Sequence, residues 1–131
     1  MMEAARVAGL AFTRAYVGNV HAIAHALGAF YDVPHGLANA VIMPYVLDFY
    51  GEKIQKKLVA LANAAEIAGD FVAEIRAMNE RMGIPTKFDC IKVQDVPALA
   101  AHALREANPL YPVPVIMDKE DCVALIEQVM G

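Results

Sequence analysis

A chain of 131 residues fits one domain and can bury a real core. Its hydrophobic fraction of 58% exceeds the roughly 45–50% usual for a soluble chain, and alanine, the best helix former, supplies much of the excess. The net charge of −4 comes from eleven basic and fifteen acidic side chains spread along the sequence. There is no basic stripe and no interleaving of aromatic with basic residues, which argues against nucleic acid as a partner. Composition leaves two readings open. One is an ordinary alanine-rich helical domain; the other is a domain whose apolar surface faces another domain or a second copy of itself.

The first stretch, from about Glu3 to Tyr31, has a helical pattern, with Gly9 and Gly18 as tolerated weak points or close-packing sites. Its start lacks the cationic opening of a signal peptide. Between Arg6 and Asp32 the only full charge is Arg14, so this stretch mimics a membrane span of about 20 residues. Asn19, His21 and His25 in its middle are costly in lipid, and a buried helix of a soluble protein is the better reading. "YDVPHG" breaks the pattern, because Pro34 biases Val33 away from helix and Gly36 relaxes the backbone after His35.

A second apolar helix is expected from about His35 toward Leu47, kinked or ended by Pro44. An amphipathic helix follows, with Ile54, Leu58, Leu61 and Ala65 on its apolar side. Gly69 then reads as a stop and Asp70 as the N-cap of another helix whose buried side carries Phe71, Ile75, Met78 and Met82. "GIPTKFDC" is a loop. Asp95 is expected to cap a helix that has Pro97 in its first turn and carries Leu99, Ala103 and Leu104. Pro109, Pro112 and Pro114 force an extended crossing before Asp118 caps the last helix. No segment alternates with a period of two, so the chain reads as all-α. Cys90 and Cys122 form no CxxC pattern and read as ordinary reduced thiols of a cytosolic, cytoplasmic protein.

Chemistry concentrates in "HAIAHALGAFYDVPHG", residues 21 to 36, which holds three of the four histidines. His21 and His25 are one helical turn apart on one face. The zincin pattern places a glutamate after the first histidine; Ala22 stands there, so a metalloprotease reading fails. His35 follows a proline turn that could swing it back over the helix end to meet the other two. From the residues alone the cluster is either a metal or catalytic site, or a set of core and cap histidines.

The longer string "GLAFTRAYVGNVHAIAHALGAFYDVPHGLANAVIMPYVLDFY" resembles the histidine-rich signature of the iron-containing (group III) alcohol dehydrogenases. "NPLYPVP" and the acidic-capped last helix resemble that family's closing segment, so the resemblance covers essentially the whole chain. It implies a helical bundle like the family's C-terminal domain, a dehydroquinate synthase-like fold. That domain carries Fe(II) or Zn(II) on one aspartate and three histidines, and works with an N-terminal domain that binds NAD(P). Matched position by position, His21 and His35 correspond to the last two metal histidines. His25 corresponds to the histidine beside the nicotinamide and substrate, suited to proton relay or orientation, and Phe12 to an aromatic near the substrate pocket. The implied chemistry is hydride exchange between the nicotinamide and a small alcohol or aldehyde, with the ion acting as Lewis acid.

The match is partial. The family's metal aspartate and first histidine lie upstream of the "GLAF" segment, whereas here eight residues precede Gly9 and none is Asp or His. The eight glycines are scattered singly, with no phosphate-cradling loop. The 131 residues are therefore expected to form a single helical domain with half a metal site and no dehydrogenase activity of their own. They are expected to pair with an N-terminal NAD(P)-binding domain or to self-associate through an apolar face around Phe12, His21 and Phe30. Two alternatives stand beside this one: a domain of the glycerol dehydrogenase, maleylacetate reductase or dehydroquinate synthase branch, and a non-enzymatic self-association module.

Overall fold

The computed structural model describes residues 2, 3, 6, 7, 10, 17–108 and 110–131. Among these, six α-helices succeed one another without a strand: α1 (Asn19–Tyr31), α2 (His35–Tyr50), α3 (Gln55–Ala64), α4 (Phe71–Arg81), α5 (Val96–Ala107) and α6 (Lys119–Gln128). Short 3-10 turns at Gly51–Ile54 and Val93–Asp95 lead into α3 and α5. The all-α expectation is met.

Helix α1 is the axis of the bundle. It packs on one side against α2 and on the other against α5; α6 lies on α5, and α4 lies on α2. Ala22, Ile23, Ala26 and Leu27 of α1 meet a core that includes Leu99, Ala100 and Ala103 of α5, all at most 1% exposed. The alanines on both helices let the backbones approach, and Ile23, Leu27 and Leu99 fill the seam. The bundle is closed at its far end by Phe88, whose backbone pairs with Val129 and Gly131 in a single bridge.

Two helix boundaries fall differently from the sequence expectation. Within the described residues the first stretch is not one helix through Gly18. Gly18 is extended (φ −144°, ψ −166°) and caps α1, which starts at Asn19. Asn19 is itself buried and donates a side-chain hydrogen bond to the Val115 carbonyl. Conversely, α2 neither ends nor stops at Pro44 but runs on to Tyr50. A proline inside a helix leaves the carbonyl four residues back without its donor, at a cost of about 3 kcal/mol or more. Here that carbonyl belongs to Ala40, and the buried Asn79 side chain of α4 supplies the donor at 2.8 Å. One amide from a neighbouring helix replaces the one that Pro44 lacks.

Other expectations shift by a residue or change mechanism. Helix α3 buries Leu58 and Ala62, following Ile54, while Leu61 and Ala65 face outward. Helix α4 buries Val72, Ile75 and Asn79, so Met78 and Met82 are exposed rather than core. The long, flexible methionines occupy the rim, and the inward line follows the Asn79 position that Pro44 demands. Asp70 caps α4 as expected, accepting from the Ala73 amide at 2.7 Å, and Asp118 closes a capping box with Asp121. Asp95 precedes α5 but makes no side-chain cap; its carboxylate instead accepts from the Tyr31 hydroxyl at 2.8 Å, tying the end of α1 to the start of α5. Cys90 and Cys122 are both free. No described helix is long and apolar enough to cross a membrane.

Candidate functional site

The histidines are gathered by the tight reversal between α1 and α2. Asp32 takes a left-handed conformation (φ 54°, ψ 30°) and its amide closes on the Gly28 carbonyl, a geometry that aspartate tolerates better than most residues. Pro34 is extended (φ −55°, ψ 128°) and is the N-cap of α2, so His35 becomes the first residue of the new helix. Three residues thus fold α2 back along α1, and His35 lands beside the two histidines one turn apart on α1. The ring centroids are 5.2 Å apart for His21 and His35, 5.0 Å for His25 and His35, and 5.9 Å for His21 and His25. His25 and His35 stack at 20°. The fourth histidine, His102, lies elsewhere, edge-on to Phe30.

The three rings have different surroundings. His21 is half-buried, and burial lowers its pKa from the ordinary value, helped by His35 and then His25 and opposed by Glu106. His35 stands at the surface, with the Asn39 amide 3.1 Å from its Nε2 and donating at 2.8 Å to its carbonyl. His25, also at the surface, holds its Nδ1 2.6 Å from Oε1 of Glu106, and the Tyr111 hydroxyl donates to the same oxygen. Burial and the Glu106 carboxylate push the Tyr111 pKa up to about 12, which keeps it a donor. An open cavity of about 560 Å³ adjoins the cluster, with His21, His35 and Asn39 at its polar end and Met43, Tyr50 and Val113 among its apolar walls. Among the described residues no three His, Cys, Asp or Glu side chains form a group able to hold a metal.

The structure therefore brings His21, His25 and His35 together, while Phe12 lies outside the described residues. Glu106, Tyr111 and Asn39 are neighbours that sequence reasoning missed. Glu106 had left a signal: a carboxylate in the last turn of α5 opposes the helix dipole, and such a residue calls for a compensating partner. Asn39 follows His35 by one helical turn, a spacing that places a side chain over its predecessor.

This is a helical domain that presents an imidazole cluster beside an open, mostly apolar cavity. Its sequence matches the model of the Fe-containing alcohol dehydrogenase family, C-terminal, over residues 1–130, and the chain belongs to that family. It is 36% identical over 136 residues to alcohol dehydrogenase 4 of Saccharomyces cerevisiae, covering 98% of this chain and 35% of that protein. It is 39% identical over 112 residues to lactaldehyde reductase of Escherichia coli, covering 75% of this chain and 29% of that protein. An alcohol dehydrogenase structure from Oenococcus oeni superposes with a TM-score of 0.79 at 30% identity, over 93% of this chain and 35% of that one. A 1,3-propanediol oxidoreductase superposes with a TM-score of 0.75 at 30% identity, over 87% and 33%. The chain thus spans about a third of the length of the relatives it matches.

Proposed function

We propose that these residues are the metal-binding helical part of an NAD(P)-linked alcohol or aldehyde oxidoreductase, with His21 and His35 as two ligands of a divalent ion. The carrying observation is the convergence of the two imidazoles at 5.2 Å between ring centroids. Nitrogen ligands sit about 2.0–2.1 Å from a divalent ion, which sets two rings on one ion on the order of 5 Å apart. The fit is to half a site. The described residues offer no third donor in a metal-holding group, so the remaining donors are assigned to other parts of the intact enzyme, as is the nicotinamide site.

Bound there, an Fe(II) or Zn(II) ion would supply Lewis acidity toward an alcohol or aldehyde oxygen, and NAD(P) on the rest of the enzyme would supply hydride chemistry. This chain's own residues do the remaining work. His21 and His35 would hold the ion from two consecutive helices joined by the tight Asp32–Pro34 turn. His25, tied through Nδ1 to Glu106, serves as a proton-handling group beside the substrate. The apolar wall of Met43, Tyr50 and Val113 limits water near the reacting carbon, and Phe12 is assigned to the substrate pocket.

The test uses the intact enzyme containing this domain, loaded with Fe(II) or Zn(II) and assayed with NAD(P)H and short aldehydes. His21→Ala and His35→Ala should each lose bound metal and NAD(P)H-linked turnover; retention of both by either variant contradicts the assignment. The 131 residues alone, given metal, NAD(H) and a panel of alcohols and aldehydes, should show no turnover. A second reading, self-association of this domain, is favoured by Phe30, which stands 41% exposed at the end of α1. Sedimentation with and without a chelator tests it, and a monodisperse monomer at high concentration contradicts it.

A further inference from the structure

The contact between His25 and Glu106 crosses from α1 to α5, over 81 positions of sequence, and it is not an isolated ion pair. Glu106 Oε1 takes two partners at once, the His25 ring nitrogen and the Tyr111 hydroxyl. Tyr111 is in turn fixed by its own backbone, whose amide donates to the Ala107 carbonyl at 3.0 Å, and by Pro112, which restricts the residue before it. A carboxylate oxygen receiving a hydroxyl proton has nothing to donate, so the proton of the His25–Glu106 bond belongs to the imidazole. That places it on Nδ1.

We infer that Glu106, braced by Tyr111, is a positioning residue that fixes His25 as its Nδ1–H tautomer and leaves Nε2 free as the acceptor nitrogen. Three observations carry this. The 2.6 Å separation is that of a charge-assisted bond. The neighbouring rings, His35 stacked on it at 20° and His21 edge-on at 5.9 Å between centroids, make no hydrogen bond to it among the described residues, where Glu106 is its hydrogen-bond partner. And Glu106 stands in the last turn of α5, where a carboxylate gains nothing from the helix and needs the His25 contact to be worth holding. Imidazoles at metal and catalytic sites are commonly oriented in this way, by a carboxylate on the nitrogen opposite the working one. The consequence for proton handling by His25 rests on the function proposed above; the tautomer itself does not.

The experiment separates the two. In the ¹⁵N-histidine-labelled 131-residue chain, long-range ¹H–¹⁵N spectra recorded at a pH where the imidazoles are neutral should show the single proton of His25 on Nδ1 and Nε2 unprotonated. Glu106→Ala should return His25 to the mixture seen for a free imidazole, and Tyr111→Phe should do so partially, with backbone amide spectra confirming the fold. A neutral wild-type His25 whose single proton sits on Nε2, or a tautomer that ignores Glu106→Ala, overturns the inference. The wild-type spectrum alone is decisive if the variant does not fold. In the intact metal-loaded enzyme, Glu106→Ala should lower kcat by about 10–100-fold with little change in KM. A changed tautomer with unchanged kcat upholds the positioning and overturns the catalytic role of His25. An unchanged tautomer overturns the positioning, whatever the kinetics.

Discussion

The two faces of α1 were built for different work. On one face Ala22, Ile23, Ala26 and Leu27 are sealed against α2 and α5, at most 1% exposed. A turn away, His21 and His25 stand at or near the surface, beside His35, Glu106 and the cavity. The sealed face holds the bundle together; the open face gathers polar groups that contribute little to stability and that we propose carry the chemistry. A substitution on this helix should therefore damage stability or function according to its face.

The largest stability effect is expected on the sealed face. Leu27→Ala should cost about 2–5 kcal/mol in chemical denaturation, while the mutual contacts of the histidine rings, read by histidine NMR, persist in the surviving folded fraction. Next comes the Asn79–Ala40 bond that lets α2 continue past Pro44. Asn79→Ala should cost about 1–3 kcal/mol, since it strands the part-buried Ala40 carbonyl. The cost should shrink in a Pro44→Ala background, where residue 44 regains its own amide; an undiminished cost in that double-mutant cycle would show the bond has another purpose. Asp118→Ala, at the capping box of α6, should cost about 0.5–2 kcal/mol. On the open face, His25→Ala should move stability by no more than about 0.5 kcal/mol.

Alkali gives a further comparison of sealed and exposed positions. Burial pushes the Cys122 thiol up to about 12 from 9.0, and Tyr111 rises to about 12 from 10.0. Above pH 9 the unfolded chain therefore releases protons that the folded chain retains. It binds fewer protons than the native state, so stability falls as pH rises through that window. Denaturation midpoints measured from pH 8 to 11 should decline accordingly. A thiol reagent at pH 8 should modify the exposed Cys90 and spare Cys122 until the chain unfolds.

Much of this was legible in the sequence because it is local. The turn at "YDVPHG", the caps at Asp70 and Asp118, and the convergence of His35 on the α1 histidines follow from chain chemistry within a few residues. What escaped depends on partners distant in sequence. Pro44 is tolerated because Asn79 arrives from another helix to serve the Ala40 carbonyl, 39 residues away from it in sequence. Asp95 gives up its cap because Tyr31 claims it. Helix α1 begins only after Gly18, where the buried Asn19 anchors onto the distant Val115 carbonyl. The same holds at the site, where the histidines announced themselves but Glu106 and Tyr111 acquire meaning only when α5 is laid across α1.

We propose that the cluster divides into two metal-holding histidines, His21 and His35, and one proton-handling neighbour, His25. Titrating the chain with Zn(II), and measuring bound metal for wild type, His21→Ala, His35→Ala and His25→Ala, tests it most directly. Weak binding that His21→Ala and His35→Ala abolish and His25→Ala preserves is the predicted result. Binding lost equally in all three, or retained without His21 and His35, would contradict it.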